Sequence, residues 1–252
     1  MVAQTGDSEG AAKLLKDSQG GRLGLRQVLL LVAGLLMLAD LYLMLMVAPV
    51  EASLGQVQRT FYFHVPVAVM SFLAFFVVFV ASVVFLARRN PFWDRLAHAS
   101  AEVGVVFVTL ALATGVIWAR PIWNTWWSWE PRLTTTLILW LIYVAYLMIR
   151  SYAPSRQKGQ IYAAVVGIVG FVDVPIVYYS VIWWRSIHPD PMIGPLAADD
   201  ALTSTMLAVL LFSLITFLVF FVYLVVERMA VMDSEDRLRR VRFALRRSQA
   251  DT

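Results

Sequence analysis

The sequence predicts an all-α integral membrane protein, a bundle of six transmembrane helices, and three observations carry this prediction. Of the 252 residues, 60% are hydrophobic and 15% are charged, with a mean hydropathy of +0.71, whereas soluble domains carry roughly 25% charged residues. Six apolar runs have about the 20 residues that a membrane-spanning helix needs. None alternates with a period of two, and helices satisfy their own backbone groups in lipid.

The six predicted spans follow one another at similar spacing along the chain. They cover residues 27–47, 65–86, 98–118, 133–149, 161–182 and 204–226. The first run exceeds the roughly 7–15 apolar residues of a signal-peptide core, so we expect it to be retained as a helix. Pro175 lies inside the fifth run and predicts a kink there. The membrane domain 27–226 is thus flanked by a polar tail, 1–26, and a basic tail, 227–252.

Lysine and arginine are distributed asymmetrically, which predicts the orientation. All but four of the 21 lie in the two tails and in the loops after the second and fourth spans. The positive-inside rule then places both termini in the cytoplasm. Loops 48–64, 119–132 and 183–203 are expected on the outer, periplasmic face of a bacterial inner (plasma) membrane.

The basic tail carries Leu238, Val241 and Leu245 on one helical face among arginines. This pattern predicts either an amphipathic helix lying on anionic membrane lipid or a solvated segment held near lipid by its charge. Both interpretations give the tail a membrane-surface role, and neither involves a nucleic-acid partner.

Several classes of function are excluded by what the sequence lacks. It contains no cysteine, which excludes disulfides, thiolate metal sites and covalent c-type haem attachment to this chain. The HExxH metalloprotease and P-loop motifs are missing as well. We therefore expect a protein without catalytic turnover.

Three histidines remain as candidate metal ligands. His64 opens the second span and His188 follows the fifth, both on the predicted outer face, whereas His98 at the inner face is expected to be structural. Two histidines under-coordinate zinc, which takes four ligands. Haem iron needs only one or two axial ligands from the protein, because the porphyrin supplies four nitrogens. The pair therefore predicts a haem site.

The outer loop WNTWWSWEPR, residues 123–132, holds four of the nine tryptophans. Their flat apolar faces suit a porphyrin, and the alternative is an interfacial aromatic belt. These tryptophans are Trp123, Trp126, Trp127 and Trp129. Arginine binds carboxylates bidentately, so one or two outer arginines are candidate partners of the porphyrin propionates. The outer arginines are Arg59, Arg120, Arg132 and Arg185.

Three stretches resemble the haem exporter protein C family of cytochrome c biogenesis. WNTWWSWEPRLT is similar to the tryptophan-rich signature WGxWWxWDxRLT, RTFYFHVPVAVMS to an FYxHVP segment, and VPIVYYSVIWWRSIHP to VPIxxYSVxWWxxLHQ. The resemblance covers about residues 25–228 with the right number of helices. The departures from the pattern are Asn124, Glu130, Pro131 and Pro189.

The resemblance implies that His64 and His188 are the axial ligands of a non-covalent haem b and that the tryptophan loop contacts it. It also implies that haem is bound at the outer face and delivered to a membrane-anchored periplasmic haem chaperone. Further implied partners are the ATPase and permease subunits of an ABC transporter and a small single-span accessory protein. The alternatives are a b-type membrane cytochrome that transfers electrons, or a lipid-linked sugar transferase. Whether the chain itself moves haem across the membrane, or takes it from the bilayer, stays open.

Three acidic residues, Asp40, Glu102 and Asp173, lie inside or beside apolar runs. Ionisable groups in such positions are candidate functional residues. For Asp173, next to Pro175, we expect a helix–helix hydrogen bond.

Overall fold

A computed structural model describes residues 20–50, 54–184, 186, 188 and 202–250. Within these residues the chain forms α-helices and no β-strand, which confirms the all-α class. The helices are α1 Gly20–Tyr42, α2 Phe61–Arg88, α3 Pro91–Trp123, α4 Pro131–Tyr152, α5 Arg156–Gly170, α6 Asp173–Trp183 and α7 Ser204–Ala250. A π-helical turn, Leu43–Val47, extends α1, and a 3-10 helix, Gln56–Thr60, precedes α2.

Six segments of the described chain are helical, long and apolar enough to cross a membrane. They are Gly24–Val47, Gln56–Arg88, Pro91–Trp123, Pro131–Tyr152, Arg156–Trp183 and Ser204–Arg242. This confirms the predicted number and order of spans. Several helices are longer than the apolar runs from which they were predicted, because polar residues at their ends continue the helix beyond the hydrocarbon core. The 33 residues of α3, for example, extend about 50 Å, against roughly 30 Å for a bilayer core.

The longer helices shift two predicted loop boundaries. His64 lies in the first turn of α2, not in the loop before it, and Trp123 is the last residue of α3. Asn124 follows with a φ of 53°, a left-handed conformation that asparagine tolerates better than most residues. Asn124 stands where the family pattern has glycine, so the turn is retained. α4 then starts with Pro131 at its first position, where no backbone donor is needed.

The fifth span is divided at the place where Pro175 predicts a kink. α5 ends at Gly170 and α6 begins at Asp173, because the proline ring clashes with the carbonyl of Phe171 four residues earlier. The N–H of Val174 bonds to that carbonyl instead, at 3.1 Å. Among the described residues, the Asp173 side chain makes no hydrogen bond to another helix, so that expectation was wrong. Asp173 lies in the first turn of α6.

The core lies where α2, α3, α4 and α5 meet. Phe75 of α2 stacks on Tyr143 of α4 at 3.6 Å between ring centroids, and both side chains are fully buried. At Gly167 of α5, a Cβ would lie 2.9 Å from Val78 Cγ1 of α2, so only glycine permits this close approach of the two helices. α1 is peripheral and packs mainly against α7.

Two of the three acids join helices. Asp40 of α1 is fully buried and its Oδ1 accepts a hydrogen bond of 2.6 Å from Ser213 of α7. Glu102 of α3 pairs with Arg228 of α7 and lies 3.4 Å from Nε2 of His98, one turn away. His98 thus belongs to an inter-helix charge cluster, as its expected structural role requires.

The same end of the bundle holds further ion pairs. Arg150 of α4 binds both carboxylate oxygens of Asp94 in α3, at 2.6 and 2.5 Å, and Gln160 of α5 donates to Asp94 at 2.8 Å. Arg156 of α5 binds Asp236 of α7 bidentately at 2.9 and 2.8 Å. This is the end that the charge distribution predicts to be cytoplasmic.

The basic tail is a continuation of the sixth span. α7 has 47 residues, about 70 Å of helix, so a large part extends beyond the bilayer core. Leu238 and Val241 are exposed on it, and the Leu245 side chain is outside the described part. The helical half of the amphipathic interpretation therefore holds, while contact with lipid stays a prediction.

Candidate functional site

A cavity of about 420 Å³ lies between α2, α3, α4 and α6 at the end predicted to face outward. This volume falls within the roughly 300–1,000 Å³ of small-molecule and cofactor sites. Its lining is mainly apolar and aromatic, with a few polar side chains. Among these are His64 and His188, residues 124 positions apart, together with Arg132.

His64 is held from the side by α3. Its Nδ1 lies 2.9 Å from Thr114 Oγ1, and its ring centroid lies 5.8 Å from that of Trp118. A Cβ at residue 115 would come within 3.2 Å of His64 Cε1, so Gly115 leaves the ring its space. One turn of α3, from Thr114 to Trp118, therefore orients the imidazole.

His188 is held by the N-terminus of α4. Its Nδ1 lies 3.1 Å from Arg132 Nη1, and its ring centroid lies 6.3 Å from that of Trp123. Its backbone N–H donates to Ser186 Oγ at 3.0 Å, and that hydroxyl donates to Glu130 Oε2. The segment after α6 is thereby tied to the residues that start α4.

Glu130 and Arg132 set the electrostatics of this corner. The carboxylate of Glu130 caps α4 by accepting a hydrogen bond from Leu133 N at 2.7 Å, and it is buried. Arg132 stands in the first helical turn, where the helix dipole disfavours a cation. The neighbouring Glu130 offsets this cost. An arginine at a helix N-terminus beside an apolar cavity makes an electropositive corner suited to a carboxylate.

The tryptophan loop divides into two pairs. Trp123 and Trp127 line the cavity, whereas Trp126 and Trp129 are 58% and 77% exposed. Trp129 meets Trp127 edge to face at 5.6 Å between centroids. The loop thus combines the two sequence interpretations, because one pair borders the cavity and the other lies where an interfacial belt would place it.

The outer arginines predicted as propionate partners also differ in position. Arg132 lines the cavity, whereas Arg59 and Arg120 do not belong to its lining. Arg120 hydrogen-bonds Asn124 and lies over the Trp126 ring at 5.8 Å. Arg185 lies outside the described residues.

Sequence reasoning missed the residues that support the histidines, notably Thr114, Gly115 and Ser186. The sequence around these residues is typical of an ordinary membrane helix or loop, and no pattern in it indicates a polar site. It also passed over Trp118, which lines the cavity together with Trp127. The indole N–H groups of both are buried without a hydrogen-bond partner among the described residues.

Comparison with known proteins shows which family the chain resembles. Residues 21–244 match the family model of Heme exporter protein C. The chain is 35% identical to Heme exporter protein C of Bradyrhizobium diazoefficiens over 195 residues, 77% of this chain and 73% of the relative. It is 32% identical to that of Escherichia coli K12 over 157 residues, 62% of this chain and 64% of the relative.

A further relative is a protein of Marchantia polymorpha described as a cytochrome c biosynthesis ccmC-like mitochondrial protein. It is 32% identical over 184 residues, 72% of this chain and 78% of the relative. The family match over residues 21–244 spans the two histidine segments, the tryptophan loop between them and all six spans. The protein therefore belongs to the Heme exporter protein C family.

Proposed function

We propose that this multi-pass membrane protein handles haem for c-type cytochrome biogenesis and that it binds haem b non-covalently between His64 and His188. The names of its relatives support the first part. The second part is supported by one observation above all. Two histidines from distant segments border the same apolar cavity, and a porphyrin iron needs two axial nitrogens at most from the protein.

The remaining lining fits the rest of a haem molecule. Trp123 and Trp127 offer aromatic faces to the porphyrin ring. Arg132 lines the same cavity and supplies a cation for a propionate. Apolar side chains fill the other walls and keep water away from the iron ligands.

We further propose that the site faces the periplasm and that haem is passed from it to a membrane-anchored haem chaperone. The outward position is supported by the charge distribution, since the cavity lies at the end opposite the basic loops. Delivery requires reversible ligation, in which one histidine releases the iron while an exposed porphyrin edge is offered to the acceptor. An ABC transporter's ATPase and permease and a small single-span protein complete the proposed assembly.

The ligand assignment is tested with protein purified in detergent. We expect one haem per chain with the optical spectrum of bis-histidine ligation, and loss or strong weakening of binding in His64→Ala and His188→Ala. His98→Ala is the matched control, because this third histidine lies in the ion-pair cluster at the other end of the bundle. Full haem occupancy in the His64→Ala/His188→Ala double variant would refute the assignment. Two haems per chain would favour an electron-transferring cytochrome instead.

The source of the haem is tested in a strain without the partner ABC transporter. We expect haem still to be bound, because the whole cavity is made by this chain. Haem-free protein in that strain would show that the transporter supplies the site.

A further inference from the structure

We infer that the two histidines are held in opposite tautomers before haem arrives, so that His64 is ready to ligate iron and His188 becomes a ligand only after Arg132 leaves it. The inference rests on the proposed haem site and adds an order of events to it. It assigns Thr114 and Arg132 as positioning residues.

The tautomer of His64 follows from the single proton of the Thr114 hydroxyl. Thr114 Oγ1 lies 2.7 Å from the carbonyl oxygen of Leu110, one turn earlier in α3, and 2.9 Å from His64 Nδ1. If the hydroxyl donated to His64, two acceptor oxygens would face each other at 2.7 Å without a proton between them. Both contacts are favourable only if the hydroxyl donates to the carbonyl and accepts from Nδ1–H.

The same helix contains an independent example of this arrangement. Thr109 Oγ1 donates to the carbonyl of Val105 at 2.6 Å and accepts from Trp140 Nε1 at 2.9 Å. An indole nitrogen can only donate, so here the direction of both hydrogen bonds is fixed. Thr114, five residues later, has closely similar distances, 2.7 and 2.9 Å, with a histidine nitrogen in place of the indole.

Neutral His64 therefore carries its proton on Nδ1 and its lone pair on Nε2. A protonated imidazolium would put a second cation beside Arg132 in a mainly apolar cavity, which is unfavourable. Iron binds the lone pair, so His64 needs no change of tautomer. This is the outer-shell support that orients metal-binding histidines generally.

His188 is in the opposite situation. A guanidinium has only donors, so Arg132 Nη1 at 3.1 Å from Nδ1 requires the lone pair of His188 to be on Nδ1. The proton of the neutral ring is then on Nε2, and the one nitrogen with a lone pair is covered by the arginine. His188 cannot ligate iron while this contact persists.

A porphyrin carboxylate is the group that can remove Arg132. A carboxylate carries a negative charge and can accept two parallel hydrogen bonds from a guanidinium, whereas a neutral imidazole offers one lone pair and no charge. A propionate therefore binds Arg132 in preference to the imidazole of His188. His188 then keeps one ring proton, with the lone pair uncovered for the iron. Arg132 thus makes the second ligation conditional on the carboxylates of the cargo.

The first experiment needs no haem. In protein labelled with ¹⁵N-histidine and reconstituted in nanodiscs, the protonated and lone-pair nitrogens of each ring give distinct ¹⁵N resonances, assigned with His64→Ala and His188→Ala. We expect His64 as the Nδ1–H form and His188 as the Nε2–H form.

Thr114→Val should abolish the tautomer preference of His64, whereas Thr114→Ser should retain it. Thr109→Val, which removes an equivalent hydroxyl outside the cavity lining, leaves it unchanged. The same tautomer in both histidines would overturn the inference.

The second experiment compares haem b with its dimethyl ester, which lacks free carboxylates. With haem b we expect six-coordinate bis-histidine iron, and with the ester a five-coordinate complex through His64. His188→Ala should then weaken the binding of haem b and leave the affinity for the ester within twofold of wild type. Thr114→Val should weaken the binding of both by roughly 10–100-fold. Bis-histidine ligation of the ester would overturn the role of Arg132. Failure of the wild type to bind haem b would refute the proposed site, and the tautomer result would still stand.

Discussion

Glu130 is expected to control haem affinity at a distance, through the segment that carries His188. Its carboxylate caps α4 through Leu133 N and accepts a hydrogen bond from Ser186, whose hydroxyl in turn accepts the backbone N–H of His188. Glu130→Ala removes both functions, whereas Glu130→Gln keeps an acceptor oxygen and loses the charge.

The two hydrogen bonds have different consequences. Loss of a helix cap costs about 0.5–2 kcal/mol of stability, with or without haem, so it cancels from the affinity. Loss of a hydrogen bond to a charged group costs about 1.5–3 kcal/mol. If the Ser186 bond serves to place His188, haem affinity falls by at most roughly 10–150-fold, since 1.4 kcal/mol is a factor of ten. Glu130→Gln is expected to fall between Glu130→Ala and the wild type.

The assay is a double-mutant cycle with His188→Ala, using haem titration followed optically and unfolding in SDS. In the His188→Ala background, Glu130→Ala should change haem affinity by less than twofold, because no ligand remains to be placed. Ser155→Ala is the control, since Ser155 caps α5 through Lys158 N at 3.3 Å far from the cavity. An equal loss of affinity in both backgrounds would refute the reasoning and assign Glu130 a direct part in haem binding.

Three further substitutions test the bundle by SDS unfolding. Asp94→Ala should lower the free energy of unfolding by about 3–5 kcal/mol, because it leaves Arg150, whose side chain is only 12% exposed, without its partner. Asp236→Ala, at a pair whose arginine is 59% exposed, should cost at most about 1 kcal/mol; equal costs would contradict the burial argument. Asp40→Leu should stay within about 1 kcal/mol of wild type, because the Ser213 hydroxyl can then donate its single proton to the backbone carbonyl of Val209, 3.0 Å away. A cost above about 3 kcal/mol would show that Asp40 stabilises the bundle.

The spans and the main site candidates could be predicted because their signals are local. An apolar run of spanning length needs no neighbour to be recognised, and Pro175 breaks its own helix wherever that helix packs. His64 and His188 stand out because histidine is rare in this chain. Their placement beside one cavity agrees with the common outer face that the charge distribution predicts.

The supporting residues could not be predicted, for a reason particular to membranes. In water, the buried face of a helix is marked by its contrast with a polar face, but lipid is as apolar as the core. The sequence around Thr114 and Gly115 therefore does not show which face meets a neighbouring helix. The same lack of contrast hid which tryptophans line the cavity, because Trp127 and Trp129 differ only in how the loop is folded.

The order in which the cavity residues occur along the chain has a consequence for the synthesis and membrane insertion of the protein. Its lining runs from Leu54 to His188, so ribosomal synthesis and membrane insertion must have passed the fifth span before the second histidine exists. Of the two cavity histidines, a chain stalled or truncated earlier carries only His64. If haem is held between His64 and His188 as proposed, nascent and unfinished chains cannot hold it in the two-histidine state, and such binding requires a molecule with at least five spans inserted.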